Sequence, residues 1–164
     1  MPANDPISTE GSRVLLGCFE AAGRVIAIDV AQLREVVRYQ AATPLPGAPA
    51  QIEGVIDLRG ALVPVVDLGR LLGGPRLAPG PRSRIAVAEV DGLAIGFAVD
   101  AALEILSVEA AALGDPPALA THSGCEATRA VVRRPGAAPL AILSLEHLVE
   151  TLYRDALPAA EAAP

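Results

Sequence analysis

The stretch Gly54 to Leu68, GVIDLRGALVPVVDL, limits the possible folds more than any other part of the chain. Two segments rich in Val, Ile and Leu, 55–58 and 61–68, flank an Arg59-Gly60 corner. Branched aliphatic side chains favour a pleated, buried surface, and glycine can take the positive φ that a tight reversal demands. The run therefore reads as two strands meeting at a turn. Pro64 lies inside the second segment and donates no main-chain hydrogen bond, which predicts an edge strand or a bulged one. Arg59 stands at the tip, where its alkyl stem can cover apolar surface while the guanidinium faces outward. A cation beside a strand edge in an oily region points to docking before catalysis. Asp57 and Asp67 flank the corner, but acid–base chemistry needs a pocket and a perturbed pKa; carboxylates at strand ends ordinarily tie down turns or meet arginines.

The remaining chain continues in short apolar runs. Segments 14–19 and 24–30 suit two strands around Ala22-Gly23, and 84–90 and 93–99 form a hairpin around Asp91-Gly92. Residues 31–39 read as a helical turn or a strand; a helical turn leading into a strand fits best. Segment 103–108 extends the sheet, and 127–133 with 139–143 make a late strand pair across Pro135-Gly136. Thr43 to Pro49 holds three prolines and a glycine, hence a stiff extended loop, and 114–125 is a polar loop. The segment 69–84, rich in proline and arginine over 73–84, is expected to cross between two subdomains. One amphipathic helix follows: Leu145, Leu148, Val149 and Leu152 share a face, Ser144 caps the start, and Pro158 is expected to stop it. Residues 1–12 and 158–164 read as flexible tails.

Composition narrows the function classes. Hydrophobic residues make up 52% of the 164 positions but aromatics only 2%, so the core must be aliphatic. A chain of this length forms one domain or two small subdomains and buries roughly 70% of its unfolded surface. The net charge of −6 and the lack of an Arg-rich stripe with interleaved aromatics argue against a nucleic-acid partner. The polar N-terminus carries no secretory pattern, and apolar runs end well before about 18 residues, so no direct membrane insertion is expected. Cys18 and Cys125 make no disulfide framework and suit a reduced, cytoplasmic setting. His122, Cys125 and His147 have neither the number nor the spacing of a zinc site, and no Walker loop or GxGxxG is present. No catalytic residue, metal or cofactor is expected.

Several segments together carry a family resemblance. GVIDLRG followed by PVVDL resembles the Gly-Val-Ile-Asn-Leu-Arg-Gly and Pro-Val-Ile-Asp-Leu signature of the CheW-like domain. LLGCFEAAGRVIAIDVAQLREVV is similar to that family's first hairpin, TPLPGAP to its proline-bearing loop, AIGFAVDAALEIL to its Gly-x-x-Val-Asp pattern, and LAILSLEHLVETL to its closing strand and helix. The likeness runs in order through residues 13–157. It implies a mainly β fold of two SH3-like five-stranded β-barrel subdomains, intertwined, with a C-terminal helix and a hydrophobic groove between the barrels. It also implies a non-enzymatic adaptor that couples the cytoplasmic tip of chemoreceptors to the regulatory domain of the histidine kinase CheA. Such an adaptor would be cytoplasmic and tied to receptor arrays through its partners.

Carried over by motif, the receptor- or kinase-binding residues are Val30, Leu33, Glu35, Gly54, Leu58, Arg59, Gly60, Gly96, Ala102 and Ile105. Two departures stand out: Asp57 replaces the usual asparagine and could pair with Arg59, and Gly69 stands where the family often has arginine, removing a rim contact. A scaffold of a related chemosensory pathway (pilus motility or cyclase control), a peptide-binding barrel without an array role, and a metal hydrolase using His122 and Cys125 are the competing readings.

Overall fold

All three two-residue corners expected from the sequence are turns with both central residues at positive φ. They are Ala22-Gly23 (53° and 74°), Arg59-Gly60 (52° and 89°) and Asp91-Gly92 (51° and 81°). This type I′ geometry matches the twist of the flanking strands and fixes their register. The computed structural model describes residues 12–116 and 127–161.

The corners join β1 (Arg13–Ala21) to β2 (Arg24–Asp29), β4 (Ile52–Leu58) to β5 (Ala61–Asp67), and β6 (Arg84–Val90) to β7 (Leu93–Val99). A 3-10 turn, Val30–Gln32, leads into β3 (Leu33–Arg38), the turn-then-strand order expected for this stretch. After β7 come β8 (Ala101–Glu109), the short β9 (Leu113–Gly114), β10 (Thr128–Val132) and β11 (Leu140–Leu143). The C-terminal helix spans Leu145–Glu161, with the Ser144 hydroxyl accepting from the His147 N–H at 3.2 Å. The helix runs past Pro158, where a stop was expected. Inside a helix a proline forfeits its hydrogen bond to the carbonyl four residues back, here Arg154, and its ring crowds that carbonyl, so it weakens the last turn without ending the helix.

The strands form two sheets, one in the order β8-β1-β2-β11-β10-β9 and one in the order β3-β6-β7-β5-β4. The first has six strands rather than the expected five, because Leu113 and Gly114 pair with Val132 and Val131 at its edge. The segment 69–84 is not the crossing between subdomains. It links β5 to β6, both in the five-stranded sheet, passing over β7 at one end, because β5 and β7 run parallel and β6 antiparallel to β7. A proline- and arginine-rich composition marks a long loop, not its destination. The chain changes sheet at the Val30–Gln32 turn and again at Asp100, between β7 and β8.

Pro64 likewise sits in an interior strand, between β4 and β7. It faces Val55, whose own N–H and C=O are both taken by Thr43 on the far side, at 2.9 and 2.8 Å. The Val55–Pro64 pair is therefore non-hydrogen-bonded, and the proline nitrogen points toward β7. There the parallel ladder starts only at Val65. The missing donor costs no bond, and the irregularity falls on β4 between Ile52 and Gly54.

Among the described residues the core falls into three clusters. Leu16, Cys18, Val132 and Ile142 fill the inside of the six-stranded sheet; Ile56, Val63, Ile85 and Val87 fill the inside of the five-stranded one. The third joins them: Phe19, Ile28, Ala86 and Phe97 from the two sheets meet Leu145, Leu148 and Leu152 of the helix. Strands buried on both faces explain why the sequence shows continuous apolar runs instead of strict alternation.

Gly54 is buried at φ 145°, and a Cβ there would lie 2.0 Å from the Thr43 carbonyl oxygen. Gly54→Ala is expected to cost about 3 kcal/mol, lowering the melting temperature by about 10 °C. A variant that melts with the parent would show that the loop does not press on β4.

Candidate functional site

Edge strands of the two sheets, β3 and β8, flank a hollow of about 250 Å³ whose lining is mostly apolar. Leu33 and Val36 come from β3, Leu103, Glu104 and Ile105 from β8, and Gly17 and Phe19 of β1 form the floor; Glu104 is the one charged residue of the lining. Ile105 is 67% exposed, and Val36 and Leu103 are also open to solvent. Gly17 makes the approach possible: a Cβ there would sit 3.0 Å from Leu33 Cδ1 and 3.2 Å from the Phe19 ring. Ala102, one of the ten carried-over residues, lines the same groove with Leu33 and Ile105. Val36, Leu103 and Gly17 were not singled out from the sequence. The signal was present as outward-facing aliphatics in two strands, but which strands are edges depends on pairing that no local pattern encodes.

Arg59 lies outside this groove. Its guanidinium is bonded to the Glu35 carboxylate of β3 while its side chain stays 69% exposed. That hydrogen bond, with the Glu35 charge, holds the guanidinium above its ordinary pKa. Asp57 does not pair with Arg59; its Oδ1 accepts from the Gly60 N–H at 2.7 Å and fastens the corner. Gly60 is exposed at the tip, and Leu58 is half-buried below it. Leu62, on the following strand, is 71% exposed beside the corner.

Three carried-over residues play other parts. Gly54 is buried against Thr43 of its own chain, and Gly96 is buried where a Cβ would meet Ile85 Cγ2 at 2.7 Å, so neither offers a surface. Val30 sits half-buried in the 3-10 turn that Asp29 caps, its carboxylate accepting from the Ala31 N–H at 2.9 Å. Gly69 is buried as well, 3.1 Å from Ala22 by its would-be Cβ, so this position is packing rather than rim.

The carboxylates expected to tie down turns do so. Asp67 is buried, its Oδ1 accepting from Arg70 N at 3.2 Å and its Oδ2 from Leu77 N at 2.8 Å, which pins the loop after β5. Burial and the Glu104 charge push the Cys18 thiol up, so it stays protonated inside its cluster. His122 and Cys125 lie outside the described residues. Among the described residues no three His, Cys, Asp or Glu side chains gather as metal ligands, and no helix is long and apolar enough to cross a membrane.

Such a fold exposes strand edges and turn tips around an open groove. A family model for the CheW-like domain matches residues 16–152, and the chain belongs to that family. It is 39% identical to the chemotaxis protein CheW of Rhizobium meliloti (strain 1021) over 100 residues, which cover 61% of this chain and 64% of that protein, just under two thirds of its length. Protein FrzA of Myxococcus xanthus is 29% identical over 141 residues, 85% of this chain and 88% of that one. The crystal structure of scaffolding protein TtCheW from Thermoanaerobacter tengcongensis superposes with a TM-score of 0.76 at 28% identity, covering 84% of this chain and 92% of that one. The two sheets are thus the two SH3-like subdomains of this fold.

Beyond the groove, the Tyr39 hydroxyl donates to Glu53 at 2.9 Å across the ends of β3 and β4. Burial first, then the Glu53 bond and charge, push the Tyr39 hydroxyl up to about 12. Burial also pushes the Glu53 carboxyl up; the Tyr39 bond pulls it back, Asp67 adds to the rise and Arg76 opposes it. A carboxyl whose folded pKa is raised binds its proton more tightly folded than unfolded. Its ionisation therefore removes stability as pH rises from the ordinary value of about 4.3 through the folded one. Glu53→Gln keeps an acceptor for Tyr39 without the charge. It is expected to melt above the parent at neutral pH, the advantage vanishing below about pH 4; equal melting at neutral pH would show that the buried charge costs nothing.

Proposed function

We propose that this protein is a non-enzymatic scaffold of a chemosensory array, coupling chemoreceptors to the histidine kinase CheA. The observation that carries the reading is the apolar groove between β3 and β8, in a chain of the CheW-like family. Side chains as apolar as Val36, Leu103 and Ile105 stay open to water on a folded surface chiefly where another protein covers them. Burying them contributes about 25 cal/mol per Å² of apolar surface. The groove takes the receptor's cytoplasmic tip. The Arg59 corner, an exposed cation beside exposed Leu62, takes the regulatory domain of the kinase. The fixed groove and exposed corner suit recognition without turnover, in the cytoplasm beneath the receptors. The same geometry would serve a related pathway controlling pili or a cyclase, and the receptor fragment that binds decides between them.

Two variants test the assignment. Ile105→Glu places a second carboxylate, next to Glu104, in the groove and is expected to abolish co-sedimentation with receptor cytoplasmic fragments while leaving the melting temperature near that of the parent; unchanged co-sedimentation would overturn the groove assignment. Arg59→Glu sets two carboxylates face to face at an exposed corner. It is expected to weaken kinase association by about tenfold with little change in melting, and unaltered kinase binding would remove the corner from the interface.

A further inference from the structure

Val36 is the last residue of β3 in the groove lining. Two residues further along the same face of β3 stands Arg38, about 7 Å away, and opposite it in the register is Arg84 of β6. Tyr39 N–H donates to the Ser83 carbonyl at 3.2 Å, so the neighbouring Arg38–Arg84 pair is a non-hydrogen-bonded one. At such pairs opposed side chains stand closest, and like charges directly opposite are destabilising. Arg34 has Glu89 at 3.1 Å and Arg82 has Glu20 at 3.8 Å. By contrast, neither Arg38 nor Arg84 has a carboxylate within ion-pair range among the described residues. Arg84 is held only by main-chain oxygens, those of Pro81 at 3.0 Å and Ser83 at 2.9 Å, which orient the guanidinium without neutralising it. In a chain of net charge −6, two uncompensated arginines are thus set side by side, one of them fixed, just past the β3 wall of a mostly apolar groove whose lining carries one acid, Glu104 of β8.

We infer that the receptor segment filling the groove carries an Asp or Glu side chain that seats between Arg38 and Arg84. The inference rests on the groove being the receptor site and adds the polarity of its occupant. On a helix lying along β3, that acid falls about one turn, roughly 5 Å, beyond the last apolar anchor. A carboxylate there would turn a repulsive pair into a three-charge cluster. Apolar burial alone leaves a helix free to lie in either direction; the charge at one end selects one.

The test uses the full chain and a purified cytoplasmic hairpin fragment of a chemoreceptor from the same organism, with affinity measured at low salt and at about 0.3 M salt. Arg38→Glu is expected to weaken binding by about tenfold at low salt, Arg38→Gln by less, and both gaps are expected to narrow at high salt. Reversing one acidic residue of the fragment to Arg should restore binding to Arg38→Glu alone. Arg38→Glu faces Arg84 and should melt no lower than the parent; a lower melting temperature would assign the loss to the fold and overturn the inference. Loss of binding by Ile105→Glu with parental binding by Arg38→Glu at low salt would overturn it while leaving the groove assignment standing. A fragment indifferent to both variants, or one that fails to bind the unaltered protein, would overturn both.

Discussion

The cluster shared by the two sheets is the constraint on which the rest of the structure depends. Phe19 and Phe97, the chain's two phenylalanines, are buried in it, one from each sheet, and the C-terminal helix closes over it through Leu145, Leu148 and Leu152. Because each sheet also wraps its own smaller cluster, the strands at the junction are buried on both faces, and neither sheet can shift without opening two cores. The groove walls belong to different sheets, yet their separation is set by this common core. Gln32 Nε2 donates to Glu146 at 2.8 Å and Ala22 N–H donates to Asp100 at 3.0 Å, tying both sheet-to-sheet crossings to neighbouring elements.

The five-stranded sheet is closed toward β4 by the main-chain bridge of Thr43 with Val55, to which side chains add. Its two edges, β3 and β4, are spanned by Tyr39–Glu53, while Glu35 of β3 reaches the Arg59 corner beyond the end of β4. The outer edge of β4 is further covered by Thr43, whose approach depends on Gly54. Arg59 thus serves the fold through one nitrogen and remains largely open to solvent. The raised Glu53 carboxyl is the counterpart on the buried side of the same seam: a charge placed where burial opposes it, retained because its oxygen anchors Tyr39.

Local chemistry made most of the elements legible. The three corners announce themselves through a glycine at the second central position, the helix start through Ser144 and its apolar spacing, and the family through motifs spread along the chain. What could not be read was pairing. Pro64 looks like an edge residue because the sequence does not reveal that Val55 turns its hydrogen-bonding groups toward Thr43. The long loop after β5 looks like a crossing because the parallel β5–β7 neighbours are distant in sequence. The site shows the same division. Leu33, Ala102 and Ile105 line one groove, whereas Gly54 and Gly96, equally prominent in the motifs, mark places where this chain's own atoms come close.

The strand β3 connects these findings. Its residues alternate between faces, so adjacent Glu35 and Val36 point to opposite sides of one ribbon, the first to the Arg59 corner and the second into the groove. The irregularity between Leu33 and Glu35 matters here: it lets Leu33 share the groove face with Val36 while Glu35 turns toward the barrel. The two surfaces lie on opposite faces of a single strand. A disturbance of either one is felt by residues that are neighbours along the main chain. Within six residues β3 thus carries Val36 and Arg38 on one face and the Glu35–Arg59 link on the other.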